Sequence, residues 1–441
     1  MSLAGRPGYQ ETAVGWIPWD WNVKRLGDLC SLITKGTTPT TVGFSYQPTG
    51  INFVKVESID GIGNIDLKKV AYISEEAHDA LNRSKLREGD ILYSIAGAIG
   101  RTAIVQAQHL PANTNQALAI VRPRDLIHTP YLRFVLSSEA QLSHISQISV
   151  SSAQANISLK DVSSFSIAFP SPPEQQKIAA ILTAVDEKLD VIARQIESTQ
   201  ILKQGLMQTL FSRGVGTQDA SGRWVLHAEM KSVLSLDIPA SWDVVRLGDI
   251  APLIRRPVEI RPDATYPELG LRSYGKGTFH KPALLGCEVG NKRLFEIKAG
   301  DLLFSNVFAW EGAVAVAKPE DDGRYGSHRY ITCTVDKSRA DTTYIYRYLI
   351  TPAGIASLSL ASPGGAGRNK TLGLSALANI SIPLPPLAEQ QKISQILDGV
   401  EDKLKLLESK QSAVKSLKRG LMQKLLTGEW RVKLDSPTGT A

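Results

Sequence analysis

Several stretches of this chain carry residue types that could do chemistry, and each lacks a part the chemistry needs. Gly270-Leu-Arg-Ser-Tyr-Gly275-Lys276-Gly277 has the glycine and lysine spacing of a phosphate-binding loop. Such a loop requires Ser or Thr after the lysine and a helix to follow, whereas Gly277 and then Thr-Phe-His-Lys-Pro stand there. Pro262-Asp263 with Glu296-Ile297-Lys298 has the letters of a metal-dependent nuclease, but an internal repeat places Lys85 and Arg87 opposite Glu296 and Lys298. Ser171-Pro172-Pro173-Glu174 has the paired prolines of an amine-methylating loop without its aromatic residue, and it reads better as a helix start. Seven scattered histidines form no His-Glu-x-x-His pattern, and three distant cysteines form neither a zinc motif nor a disulfide framework. No catalytic or metal-binding set is expected in this chain.

The elements that would position such residues follow from a duplication. Ile17–Leu29 (IPWDWNVKRLGDL) matches Ile238–Ile250 (IPASWDVVRLGDI) at an offset of 221 residues, and REGDILYS at Arg87 matches KAGDLLFS at Lys298 at 211. EQQKI occurs at Glu174 and Glu389, and GLMQ at Gly205 and Gly420, both at 215. A wandering offset that settles means a variable globular part followed by a fixed-length helix, twice. The globular parts are expected to be mixed and β-rich, from runs such as Ile51–Val56, Asp90–Ile95, Ala117–Val121 and Phe165–Phe169. Asp301–Asn306, Ala313–Ala317 and Tyr330–Val335 read alike. Helices are predicted near Tyr131–Ser138 and Thr343–Leu349.

The two long helices show a heptad seam. Ile178, Leu182, Val185, Leu189, Ile192, Ile196 and Thr199 step by four and three, as do Ile393, Leu397, Val400, Leu404, Leu407, Gln411 and Val414. Gly214 and Gly428 mark the ends. At about 39 residues each helix would run roughly 58 Å. So long a seam needs a partner, and the two helices packing together as a coiled coil is the economical solution. Duplication favours a pseudo-twofold, antiparallel pair, although the linker is long enough for a parallel one. The expected segments are a first globular domain (1–170), a helix (171–212), a linker (213–236), a second globular domain (237–385), a helix (386–428) and a tail (429–441). The fold class is α+β.

The helices share 17 identities in 39 positions. Seam packing explains some of these. It does not explain Glu174, Gln175, Gln176 and Lys177, their copies Glu389, Gln390, Gln391 and Lys392, or Gln208 and Gln423. These predict one exposed polar surface presented twice, docking two copies of one partner; common descent with helix-start chemistry is the plainer account. Gly205 and Gly420 cost about 0.5–1 kcal/mol each inside a helix, which is consistent with a close backbone approach; fraying near the helix end is the plainer account.

The ordered set resembles the specificity (S) subunit of type I restriction–modification enzymes. It comprises the duplicated Trp-x-Val-x-Arg-Leu-Gly-Asp (Trp21–Asp28, Trp242–Asp249), Gly-Thr-Thr-Pro at Gly36, the Pro-rich EQQKI helix starts, and GLMQ…LTGxxR from Gly420 to Arg431. The resemblance runs from about Ile17 to Arg431. The first helix exit, Phe211-Ser-Arg-Gly, departs from the pattern, and the second half lacks Gly-Thr-Thr-Pro. The resemblance implies a non-catalytic subunit reading a split, asymmetric duplex DNA sequence, one domain per half-site, with the coiled coil setting the spacer. It also implies two methyltransferase (M) partners and, through them, restriction (R) subunits. S-adenosylmethionine, ATP and magnesium would belong to those partners, and this chain would hold no cofactor.

Base contacts need Arg, Lys, Asn, Gln, Ser or Thr on loops, and phosphate contacts need mostly Arg and Lys. In the first domain the candidates are Lys35, Thr37, Thr38, Lys55 and Arg101, then Asn115, Gln116, Gln154 and Asn156. In the second they are Arg255, Arg256, Arg272, Tyr274 and Lys276, then His328, Arg329, Arg368, Asn369 and Lys370. For each, a solvated cation or a turn former is the plain alternative. A net charge of +7 permits a nucleic-acid partner without demanding one. No apolar run approaches a bilayer span and no signal segment is evident, so the cytoplasm is the expected location. A pure scaffold, a coiled coil with two protein-binding domains, fits the same charge balance.

Overall fold

Short β-branched and aromatic runs between glycine and proline turns become short strands. The computed structural model describes residue 5 and residues 7–149, 156–233, 236–364 and 370–434. Strands form at Ile51–Val54, Ile91–Ser94 and Ser166–Phe169, and at Leu302–Ser305, Val314–Val316 and Tyr330–Cys333, within the runs expected, while Leu118–Pro123 runs two residues past its own. The predicted short helices form at Thr129–Leu136 and Thr342–Leu349. The long helices span Pro172–Arg213 and Leu387–Leu426.

The chain folds as two units, Met1–Gln195 with Leu407–Ala441, and Ile196–Leu406. Each therefore combines one globular part with the first half of one long helix and the last half of the other. In the first unit, an antiparallel sheet orders Cys30–Lys35, Leu118–Pro123, Ile91–Ser94 and Thr102–Ile104. A second sheet sets Ile51–Val54 between Ala71–Ile73 and Ala112–Thr114. In the second unit, Leu253–Ile254, Tyr330–Cys333, Leu302–Ser305 and Val314–Val316 repeat the first arrangement. There the other sheet is larger: Thr278–Leu285, Thr265–Leu271, Tyr325–Ser327 and Leu294–Glu296. The two units thus differ most in this second sheet.

Antiparallel pairing is visible inside each unit. In the first, Ile178, Ala179 and Leu182 share a core with Leu425 and Leu426, and Lys418 bonds Asp186 at 2.5 Å. In the second, Ile393 and Leu397 share a core with Leu210 and Phe211, and Lys203 bonds Glu401 at 2.8 Å. The seam residues Leu189, Ile192, Thr199 and Leu407 are buried.

Duplicated motifs have local causes. In both copies of Arg-Leu-Gly-Asp a one-turn helix (Leu26–Leu29, Leu247–Ile250) lies against the end of its domain. The Leu26 amide donates to Phe165 O at 2.8 Å and the Leu247 amide to Ile380 O at 2.8 Å. In both Gly-Asp pairs the aspartate is buried: Asp90 accepts from Arg122 Nε at 2.7 Å, and Asp301 from Arg256 Nη1 at 2.6 Å. The segment expected as a linker carries two hairpins, Thr217–Gln218 with Trp224–Val225 and Met230–Val233 with Leu236–Pro239.

Candidate nucleic-acid interface and docking surface

The helix starts differ from expectation. Glu174, Gln175, Glu389 and Gln390 are 0–2% exposed, so they cannot form a docking surface. Glu174 accepts from Trp21 Nε1 at 3.1 Å and from Arg431 Nε at 2.9 Å, where a capping box would have sent it back to Ser171. Glu389 accepts from Trp242 Nε1 at 2.9 Å, from the amides of Val215 at 2.9 Å and Gly216 at 3.0 Å, and lies 2.9 Å from His227 Nε2. Each glutamate thus joins the tryptophan that opens its domain to the segment leaving the other helix. Gly214 and Gly428 complete the closure with φ of 67° and 68°, the left-handed region that glycine tolerates. A Cβ there would stand 2.8 Å from Trp242 and 3.2 Å from Trp21.

The adjacent glutamine makes a second tie. Gln175 Oε1 accepts from the His128 amide at 2.8 Å, and Gln390 Oε1 from the Asp341 amide at 2.8 Å. Both amides belong to residues that cap the helices Thr129–Leu136 and Thr342–Leu349. Those helices also reach the coiled coil through buried arginines. Arg133 Nη2 bonds Asp186 at 2.5 Å, and Arg347 Nη2 bonds Asp398 at 2.6 Å and Glu401 at 2.9 Å. Burial opposes ionisation of Glu401, yet Lys203 and Arg347 together hold its carboxyl below the usual range.

What remains of the repeated surface is narrower. Gln176, Lys177, Gln391, Gln208 and Gln423 are exposed, and Lys392 is half-buried, donating to Gln395 at 3.3 Å. In the first unit Lys177 and Leu421 of the second GLMQ line one groove of about 490 Å³ with Trp430. Gln423 lines another of about 700 Å³ with Lys415 and Arg419. Gly205 and Gly420 have nothing within 4 Å of a Cβ position, so no close approach among the described residues explains them.

The candidate DNA residues of the first unit gather in two places. Lys35 ends a sheet strand opposite Ala119, and the Gly36–Pro39 loop that follows lies on the Thr114–Gln116 turn. A Cβ at Gly36 would collide with the Thr114 carbonyl. The Thr38 hydroxyl bonds Gln116, and Thr37 Oγ1 accepts from Arg83 Nη2 at 3.1 Å. Asn115 shapes the turn by accepting from the Ala117 amide at 3.2 Å. Arg101 donates to Ile59 O at 3.1 Å, beside Lys55, whose ammonium lies 4.3 Å from the Tyr46 ring centre. Asn156 is exposed and bridges Ala96, next to Ile95, whose amide donates to Ala117 O at 2.9 Å. Gln154, Arg368 and Asn369 lie outside the described residues.

In the second unit Tyr274 stands out. Its φ is +62° and it is 72% exposed, so a bulky side chain is displayed from a costly backbone conformation. Its amide donates to Glu311 O at 2.8 Å. That anchors the Arg272–Lys276 loop beside Trp310, over whose ring Lys370 sits at 4.9 Å. Arg272 stacks on Phe279 at 4.9 Å, and Lys276 is exposed. His328 and Arg329 form an exposed turn whose Arg329 carbonyl accepts from the Asn306 amide at 2.7 Å. Arg255 is exposed and stacks on Phe295 at 4.9 Å. Arg256 is a correction: its bidentate pair with Asp301 makes it part of the frame, and the guanidinium is held charged by that pair.

Glu296 and Lys298, read as possible nuclease letters, pair with each other. Among the described residues no three His, Cys, Asp or Glu side chains are placed to hold a metal ion, and no helix is long and apolar enough to cross a membrane. Sequence reasoning missed Arg83, Arg133, Arg347 and the two tryptophan latches. The recurrence of Trp and of Glu-Gln in both halves was the signal for the latches.

Comparison with known proteins places this geometry. The family described as type I restriction modification DNA specificity domain matches residues 18–199 and again 239–416. The chain is 26% identical over 442 residues to a Methanocaldococcus jannaschii protein named for the MjaX specificity subunit of a type I restriction enzyme, covering 96% of this chain and 97% of that one. It is 23% identical to the type I restriction enzyme EcoDI specificity subunit of Escherichia coli, covering 96% and 92%. In fold it is similar to the type I restriction–modification S subunit from M. genitalium, with a TM-score of 0.55 at 15% identity over 92% of this chain and 96% of that one.

Proposed function

We propose a function from one premise: the chain belongs to the type I restriction modification DNA specificity family, matched twice along its length. Its role is to read duplex DNA for a type I restriction–modification complex. Each unit reads one half of a split, asymmetric site, and the paired helices set the unread spacer. The observation that supports this most is a repeated frame with unlike loops. Both units close on a tryptophan–glutamate latch and an arginine–carboxylate tie. The loops they hold differ, Gly36–Pro39 in one and Arg272–Lys276 in the other. Two readers fixed on matched frames recognise two sequences at a fixed separation.

In this reading Lys35, Thr37, Thr38, Gln116, Lys55 and Arg101 face the first half-site. Arg272, Tyr274, Lys276, His328, Arg329 and Lys370 face the second, with Arg255 beside them. Gln176, Lys177, Gln208, Gln391, Lys392 and Gln423 form the surfaces that dock two methyltransferase subunits, which carry the restriction subunits. The chain itself is non-catalytic and works in the cytoplasm. S-adenosylmethionine, ATP and magnesium are bound by the partners.

The test is selection of bound duplexes from a random pool by the chain co-expressed with its methyltransferase. Two short, different motifs at constant spacing are expected. One motif, or none above non-specific background, would refute the two-reader arrangement and favour a scaffold.

A further inference from the structure

The first unit contains a groove of about 590 Å³ that the reading above does not use. Arg83, Lys85, Arg87, Arg122 and His78 line it, and no carboxylate is among its lining residues. Two of these cations are already paired with carboxylates, the exposed Asp79 and the buried Asp90. Lys85 pairs with Asp79 at 2.7 Å, and Arg122 with the buried Asp90 at 2.7 Å. Arg83 and Arg87 are exposed, and no ion pair of either is recorded among the described residues. Arg83 reaches from the groove to Thr37, donating one N–H to its hydroxyl at 3.1 Å. A guanidinium has five donors in a planar fork, so four remain for a ligand. The groove therefore continues into the Gly36–Pro39 loop through one side chain.

The second unit does not repeat this set of cations at the aligned positions. The repeat sets Leu294, Glu296 and Lys298 opposite Arg83, Lys85 and Arg87. There Lys298 is paired with Glu296, and its ammonium is held charged by that neighbour. A groove rich in guanidinium, acid-free along its walls and joined to a loop of hydroxyls suits a phosphodiester backbone lying beside an edge-reading element.

We infer that the Arg83–Arg87 groove seats the DNA phosphate backbone of the first half-site, with Arg83 positioning the Thr37 loop against the bases. This inference rests on the DNA-reading function proposed above. It makes phosphate anchoring unequal between the two units, the first carrying the larger share.

The test is equilibrium binding of the selected duplex by the co-expressed complex, across a salt series, with an unrelated duplex alongside. Each phosphate contact contributes about 0.9 to the log–log salt slope. Arg83→Ala with Arg87→Ala is expected to make the slope shallower by about 1.8 and to weaken both duplexes. Arg83→Lys with Arg87→Lys restores the slope, because a lysine is still a point charge, but loosens sequence preference at the first half-site, because the fork to Thr37 is gone. Lys160→Ala, an exposed cation elsewhere in the unit, and Lys298→Ala leave the slope unchanged. Thermal melting of each variant should match the parent, since exposed substitutions of this kind stay within about 0.5 kcal/mol. A parental slope in the double alanine variant, with site recognition intact, overturns the groove assignment alone. Absence of site-specific binding by the unmodified complex overturns the DNA reading and the groove with it.

Discussion

Replacing Glu389 by alanine removes an acceptor on which three donors and a histidine converge. Trp242 Nε1 and the amides of Val215 and Gly216 would lose their partner in a site where Trp242 is fully buried and Glu389 1% exposed. A buried donor left unsatisfied costs about 1–3 kcal/mol. Some of the three would recover water through the space vacated, so a total of about 3–5 kcal/mol is expected. For a unit of this size each kcal/mol lowers the melting temperature by roughly 2–4 °C, giving a fall of about 6–20 °C. Because two units need not melt together, the localising assay is amide hydrogen exchange. Val215 and Gly216 should lose protection first, while amides of the first unit hold theirs. Glu389→Gln keeps the shape and one acceptor oxygen, and should lie between parent and alanine. A loss below about 1 kcal/mol with protection at Val215 and Gly216 unchanged would show that the carboxylate does not hold the second unit together.

Three further outcomes follow from the same geometry. Glu401 is held ionised below its ordinary value of 4.5 despite its burial, by Lys203 and Arg347. Its folded-state value is depressed, so the stabilisation is present above that ordinary value and lost as pH falls through the folded one. Lys203→Met should flatten the acid limb of a stability–pH curve as pH falls below that ordinary value, and an unaltered limb would count against the pair. A four-residue insertion in one long helix adds about 6 Å and should lengthen the spacer of the selected site by one or two base pairs; an unchanged spacer would refute the ruler. Tyr274→Gly should melt above Tyr274→Ala by about 1 kcal/mol, because only glycine is unstrained at that φ, while both weaken binding of the second half-site. Equal melting would deny the strain, and parental affinity would deny the contact.

The fold was legible where periodicity reports on it. The steps from Ile178 to Thr199 point at a helical partner, and the buried seam is the result. The β runs around Asp90 and Asp301 were legible because turns bracket them. Glu174 and Gln175 were not, because a heptad describes only the face turned to the other helix. These residues lie off the seam yet point into a third layer, the globular domain, which a helical wheel cannot register. Tyr131 and Tyr344 belong to the same layer, donating to Ala168 O at 3.0 Å and Pro383 O at 2.8 Å from full burial. Arg256 was misread for a related reason: an arginine at a strand end looks like any surface cation until the buried Asp301 beneath it is seen. The reading loops were found by composition alone, so side chains that shape a turn, such as Asn115, were grouped with those that can face a ligand.

The latch of the first unit also bears on how the protein is made. Glu174 and Arg431 are 257 residues apart in the chain, whereas Glu389 and its Val215 partner are separated by 174. At roughly 5–20 residues per second, the ribosome delivers Arg431 about 13–50 s after Glu174. During that interval Trp21 and the seam around Ile178 and Leu182 have emerged without the Leu425 and Leu426 that cover them. The domain synthesised first is therefore completed last, and the nascent chain carries an uncovered helix face through most of its own translation.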